Sequence, residues 1–375
     1  VSAGAVGNSD RDSARAAFLE AAGWGDASAT PVAGDASTRA YERVSKDGAT
    51  AILMNAPPGP DGPPIRDGKS YSAIVHLAED MRPFAAIARH LREQGLSAPA
   101  IYAQDLAQGF LLLEDLGDTV YGPAIEAGAD EETLYGAAVD VLAALHDVPV
   151  PASLPCGDDG PDHVVPPFDD EALMTEAALL PSWYARLAFG GDLSGDAQAG
   201  FEAAWRQVFT TARQDRDVLL LRDYHSPNLL VLDERAGLAR VGIIDFQDAL
   251  VGPAAYDVAS LLQDARRLVD AGIEARLLAR YEAARTATDA RFDADAFRAA
   301  YAVMGAQRNT KIIGIFARLL LRDGKPGYLQ HIPRLADYLA RDLAHPALAP
   351  VAQWFDAHLP LEKLRTQIDP DSVTR

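Results

Sequence analysis

The chain has 375 residues, 49% hydrophobic and 23% charged, with 34 basic against 54 acidic residues and a formal net charge of −20. That length carries two domains and a sizeable core. So acidic a balance argues against nucleic acid, whose phosphates demand a dense basic surface, and against an anionic membrane face. A single cysteine, Cys156, precludes an internal disulfide, and no apolar run of membrane-spanning length is found. The first ten residues lack a basic-then-apolar leader pattern, so the cytoplasm is the expected compartment. No obligate protein partner is inferred.

Residues 1–12 are small and polar and are expected to form a disordered tail. Over residues 13–24, Ala17, Phe18, Ala21 and Trp24 fall on one helical face with Ser13 as a cap. Residues 31–34, 40–45 and 50–55 read as three short strands, followed by a Pro/Gly-rich loop over 57–67. A helix over 83–94 precedes strands over 100–104 and 110–114. Beyond Leu116 the pattern turns helical, over 131–147, 171–189 and 196–213, with a loop over 149–167. Apolar strands over 218–221, 229–232 and 241–244 interrupt it, and the remainder is helical, with Pro253 expected to open a helix. This predicts an α+β, bilobal arrangement. A β-rich N-lobe (13–116) would join a large helical C-lobe (117–360), with a tail over 361–375 and a ligand cleft at the connector Glu114-Asp115-Leu116-Gly117.

The most informative segment is Leu221-Arg222-Asp223-Tyr224-His225-Ser226-Pro227-Asn228, followed by the strand that ends in Ile244-Asp245-Phe246-Gln247. An Arg-Asp pair with Asn five positions after the Asp, then a strand ending in Asp-Phe, matches a phosphoryl-transfer template. Asp223 is the candidate catalytic base for a substrate hydroxyl. Asn228 and Asp245 supply the oxygen ligands that Mg²⁺ prefers. Asp257, in the first turns of a helix, is expected to brace the catalytic loop.

These motifs resemble the aminoglycoside phosphotransferase-like kinases, a branch of the protein-kinase-like fold. The resemblance covers about residues 13–345, with its specific motifs in 221–260. The likeness is strongest to the bacterial anomeric kinases of N-acetylmuramate and N-acetylglucosamine. It runs through Gly34-Asp35-Ala36-Ser37-Thr38-Arg39, Leu53-Met54-Asn55-Ala56-Pro57-Pro58, the two motif segments above and Gln307-Arg308-Asn309-Thr310-Lys311. It implies ATP and Mg²⁺ as cofactors, an amino sugar as substrate and transfer of the γ-phosphate to its C1 hydroxyl in cell-wall recycling.

The chain departs from protein kinases at Leu221, where they carry His, and at Gln247, where they carry Gly. It has no activation segment, which favours a small-molecule substrate. It also lacks the third-strand Lys that reaches the nucleotide phosphates; Arg39 or Arg43, alternating onto one strand face, is expected to replace it. Residues Gly34, Asp35, Ala36, Ser37 and Thr38 are expected to close over the phosphates, and Glu114 and Leu116 to hold adenine through backbone groups. His225, Arg308 and Lys311 are the candidate sugar contacts. Arg308, Lys311, Arg318 and Arg322 follow one helical spacing that reads either as a receptor for a carboxylate-bearing sugar or as a solvated basic face. The alternatives are another aminoglycoside- or choline-type hydroxyl kinase and a nucleotide-binding pseudokinase scaffold.

Overall fold

The computed structural model describes residues 3–32, 39–59, 62–157, 160–366 and 368, with side chains from residue 10 onward. In the first lobe, helix α1 (Ala3–Ala21) precedes strands β1 (Ser28–Val32), β2 (Ala40–Lys46) and β3 (Ala49–Asn55). A short hairpin, β4 (Pro64–Arg66) and β5 (Lys69–Ser70), leads into α2 (Tyr71–Ile74); α3 (Arg82–Glu93), β6 (Ile101–Asp105) and β7 (Phe110–Glu114) complete the lobe. The sheet has the order β1-β2-β3-β7-β6, with every neighbouring pair antiparallel.

Strand alternation sorts its two faces. Phe110 and Leu112 join Val44, Leu53, Phe18 and Leu19 under α1, while Leu111, Leu113 and Met54 face the main core with Phe84, Ile87 and Leu91 of α3. Helix α1 begins well before the expected cap at Ser13, so the expected tail is helical from Ala3. Its anchor is Arg11, which donates to Asn55 Oδ1 and Gln108 O and lies 3.7 Å over the Phe110 ring. The first strand begins at Ser28 rather than at residue 31, residues 33–34 of the expected strand lie outside the described residues, and the expected loop over 57–67 contains strand β4.

The second lobe is mainly helical. It contains α4 (Tyr121–Glu126), α5 (Glu131–Leu145), α6 (Asp170–Ala177), a π-helical turn (Leu180–Tyr184), α7 (Ala185–Phe189) and α8 (Gly195–Ala212). Two small antiparallel pairs follow: β8 (Asp217–Leu220) with β11 (Leu250–Pro253), and β9 (Leu229–Val231) with β10 (Val241–Ile243). Then come α9 (Ala255–Leu262), α10 (Ala271–Thr288), the long α11 (Ala294–Asp323), α12 (Ile332–Leu343), α13 (Ala349–His358) and α14 (Leu361–Arg365). Pro253 ends β11 rather than opening a helix, since α9 starts at Ala255. Leu364 of α14 is buried, so the expected C-terminal tail is helical over 361–365. The bilobal α+β arrangement therefore holds. Among the described residues, no helix is long and apolar enough to cross a membrane.

Two features bring the lobes together where the cleft lies. Ile243 N donates to Ser97 O at 2.9 Å, and Phe246 stacks on Phe84 with ring centroids 4.8 Å apart. Gly117 adopts φ +82°, a conformation a side chain would strain, and its N–H bonds Asp115 Oδ1 at 3.1 Å to turn the chain from β7 into the second lobe.

Candidate active site

Strand β8 is buried beyond Asp217 and carries the chain to Leu221 and Arg222. Arg222 has φ +68°, costly for a residue with a long side chain. Three groups hold it there. The Asp257 carboxylate accepts from Leu221 N (2.6 Å) and Arg222 N (2.9 Å), Ser260 Oγ bonds Arg222 O, and the guanidinium pairs with the fully buried Glu176. With Arg222 turned into the lobe, the next residue, Asp223, is half-buried. Tyr224 turns inward again, and its hydroxyl donates to Ala138 O of α5 at 3.0 Å. Asp257 thus braces the loop through its carboxylate. Burial raises its pKa to about 7, partly offset by those two N–H bonds.

The turn after Asp223 is fixed by Asp264, which accepts from both N and Oγ of Ser226. Asn228 follows Pro227, and its Nδ2 donates to Asp223 O at 2.9 Å and approaches Asp245 Oδ2 at 3.4 Å. The β9–β10 hairpin sets this proximity: Leu229 pairs with Ile243, and Ile244 N donates to Asn228 O. Asp245 then leaves the hairpin at φ +62°. Gln247 Nε2 steadies it with a 2.9 Å bond to Oδ1, and Asp248, beside it, accepts from Ala78 N of the first lobe.

Burial raises the pKa of Asp223, but Lys311, His225, Arg222 and Arg308 outweigh it and hold the carboxyl below its ordinary value. Asp245 moves the other way, raised by burial and by the Asp223 charge. Two adjacent carboxylates pushed apart in this manner make the pair a candidate functional site. A bound cation would relieve the repulsion at Asp245. Because Asn228 Nδ2 is engaged by Asp223 O, its Oδ1 is the atom left for a metal. An amide oxygen and a carboxylate suit Mg²⁺, which takes few protein oxygens and fills the rest with water and phosphate.

Above these groups lies an interlobe cavity of about 340 Å³. Tyr41, Ile52 and Met54 form its roof, Leu113 to Asp118 its back, and Asn228, Leu230, Ile244 and Asp245 its floor. The structure separates the two candidate phosphate cations. Arg39 Nη1 lies 3.2 Å from Asp245 Oδ1, at the floor of the cavity. Arg43 instead pairs with Asp115 and Asp118, four contacts of 2.7–3.0 Å that clasp β2 to the connector. These pairs make it a clasp on the connector, and it also lines the cavity in which a phosphate role is expected of it. Leu116 lines the cavity. The Glu114 side chain is engaged by Arg235, Arg92 and Ala100 N. The expected phosphate loop Gly34, Asp35, Ala36, Ser37 and Thr38 lies outside the described residues.

The expected basic face of α11 divides. Arg308 and Lys311 are buried, and only Arg322 behaves as a solvated surface charge, pairing with Asp323. Lys311 Nζ lies 2.8 Å from Glu176 Oε1 and bonds the Tyr256 hydroxyl, while Arg308 reaches Gln263 O. Gly314 makes this possible: a Cβ there would collide with the backbone of Leu179 and Leu180, so its absence lets the α6 region pack against α11. Among the described residues, the buried Nδ1 of His225 has no hydrogen-bond partner. Trp205 and Tyr184 are core residues, packed beside Phe201 and bonded to Lys363 O respectively. Sequence reasoning missed Glu176, Asp264 and Gln247 as site organisers. Of these only Gln247 carried a signal, as the residue standing where protein kinases place Gly.

Comparison with known proteins adds four likenesses. The pattern of the phosphotransferase enzyme family matches residues 28–294. The chain is 44% identical to the N-acetylmuramate/N-acetylglucosamine kinase of Caulobacter vibrioides, covering 96% of this chain and 99% of that one. It is 34% identical to the protein of the same name from Pseudomonas aeruginosa, over 91% and 93% of the two chains. In fold it is similar to an ethanolamine kinase of Plasmodium vivax, at a TM-score of 0.54 and 12% identity over 86% and 83% of the chains.

Proposed function

This chain belongs to the phosphotransferase enzyme family, and on that premise we propose that it is an ATP- and Mg²⁺-dependent kinase of N-acetylmuramate and N-acetylglucosamine that phosphorylates the anomeric hydroxyl. The observation that carries the reading is the convergence of Asp223, Asn228 and Asp245, beside the cavity between the lobes, in a chain that aligns almost end to end with a kinase of that name.

Asp223 orients the C1 hydroxyl and takes its proton as the oxygen attacks the terminal phosphorus in line with the leaving oxygen. An anomeric hydroxyl is more acidic than an ordinary alcohol, so a carboxylate held ionised by Lys311 and Arg222 is a sufficient base. Asn228 and Asp245 would hold Mg²⁺, which when bound neutralises charge on the phosphates. Arg39, beside Asp245, contacts the phosphates in place of a third-strand Lys. The connector and Leu116 hold the adenine, and Arg43 keeps that connector closed through Asp115 and Asp118. Asp257 fixes the loop but touches no reacting atom. An ATP-dependent enzyme of this kind would act in the cytoplasm. A pseudokinase scaffold has no need for Asp223, Asn228 and Asp245 together.

The test is ADP release with N-acetylmuramate, N-acetylglucosamine, glucose, choline and kanamycin as parallel acceptors, with phosphorus–proton coupling at the anomeric carbon to locate the phosphate. Release confined to the two N-acetyl sugars, and lost by a factor of about 10³ or more in Asp223→Asn, is expected for removal of a general base and its orienting carboxylate. Release with choline or kanamycin alone would replace the substrate. An Asp223→Asn variant within tenfold of wild type would overturn the mechanism.

A further inference from the structure

The amino-sugar reading above leaves open how one site treats two substrates that differ by an acidic group, since N-acetylmuramate carries a lactyl carboxylate that N-acetylglucosamine lacks. Arginine is the natural receptor for such a group, because its planar fork matches a carboxylate. Many arginines of this acidic chain are already in ion pairs, such as Arg276 with Glu132 and Arg280 with Asp140. Two that are in none among the described residues lie at one place. Arg318 of α11 has a buried Nε without a hydrogen-bond partner and packs against the Tyr71 ring, 5.1 Å from its centre. Arg66 of β4 reaches Thr175 Oγ1 of α6 at 3.5 Å, one residue from Glu176.

This place adjoins the catalytic loop. Arg318 follows Lys311 by seven residues, which puts both on one face of α11, about 10 Å apart along its axis. Lys311 is among the charges that hold Asp223 ionised. Tyr71 stands between the two cations electrostatically: burial raises its phenol, and both Lys311 and Arg318 pull it back. The nearby carboxylates are already engaged, Glu176 by Arg222 and Lys311, and Asp323 by Arg322. Among the described residues, neither guanidinium has a carboxylate within ion-pair distance; the Tyr71 hydroxyl and the Asp323 charge offset part of that of Arg318. Burial lowers the pKa of Arg318, a cost that an incoming anion would offset.

We infer that Arg318, assisted by Arg66, receives the lactyl carboxylate of N-acetylmuramate and sets the preference between the two sugars. The hairpin and α2 deliver Arg66 and Tyr71 from the first lobe, so this subsite is assembled across the cleft rather than from α11 alone.

Steady-state kinetics of the full chain with both sugars test it. In Arg318→Gln the ratio of kcat/KM for N-acetylmuramate to that for N-acetylglucosamine should fall about tenfold or more, as for loss of a charge-assisted hydrogen bond. The change should lie in KM. Arg66→Gln should act in the same direction more weakly, and Arg318→Lys should restore part of the ratio. A ratio that moves less than twofold in Arg318→Gln, or a wild type that phosphorylates only N-acetylglucosamine, would overturn the subsite while leaving the kinase reading intact. A wild type inactive on both sugars would overturn both.

Discussion

Glu176 is the point at which stability and catalysis meet, and its replacement by Gln is the most informative single perturbation. One fully buried carboxylate faces two buried cations, Arg222 and Lys311, and Gln307 Nε2 approaches its second oxygen at 3.3 Å. Removing one partner of a buried pair costs about 3–5 kcal/mol because the remaining charge is left desolvated and uncompensated. Glu176→Gln strands two cations at once and should reach the upper end of that range. Lys311→Met leaves Glu176 still paired with Arg222, so its cost should be nearer the roughly 1.5–3 kcal/mol of one charge-assisted bond. The double variant should cost less than the sum by at least about 1 kcal/mol, since the residues share one network. Urea unfolding followed by far-ultraviolet circular dichroism gives all three values, provided the slopes agree. Turnover adds a second readout: with Glu176 neutralised, Lys311 and Arg222 are free to close on Asp223 and mask the base, so kcat should fall in Glu176→Gln. If Glu176→Gln costs no more than Lys311→Met, the network does not hold the loop and the reasoning fails.

Arg39→Ala should raise the KM for ATP about tenfold or more, the loss of a charge-assisted contact, whereas Arg43→Ala should loosen the hinge and change that KM less; equal effects would contradict the separation of their roles. For pH, burial raises Asp257 from 3.8 to about 7, so its contribution to stability is complete below about 4 and is lost as pH rises through about 7. The melting-temperature advantage of wild type over Asp257→Asn should therefore widen from about pH 8 to about pH 5; a constant difference would show that the carboxyl is ionised throughout.

Much of the site was legible because its geometry is local. The run from Asp223 to Asn228 is one turn whose spacing carries its chemistry, and the strand ending at Asp245 lies only a hairpin away. The strands and helices of both lobes followed from alternation and helical periodicity. Errors gathered at the edges, where long-range anchors act: Arg11 on Asn55 and Phe110 extends the first helix beyond any local signal.

By itself, the order of residues determined the reaction class and the two-lobed plan and marked the candidate base and metal ligands, since each is a matter of residue type at short spacing. Only the tertiary structure decided which cation serves which anion. Arg39 and Arg43 alternate identically along one strand, yet the first meets Asp245 and the second the connector acids. Arg308, Lys311, Arg318 and Arg322 share one periodicity, yet two are buried in the catalytic lobe, one stacks on Tyr71 and one lies at the surface. A charge is stabilised or stranded by what packs within a few ångströms of it, and those neighbours come from elements far apart in the chain.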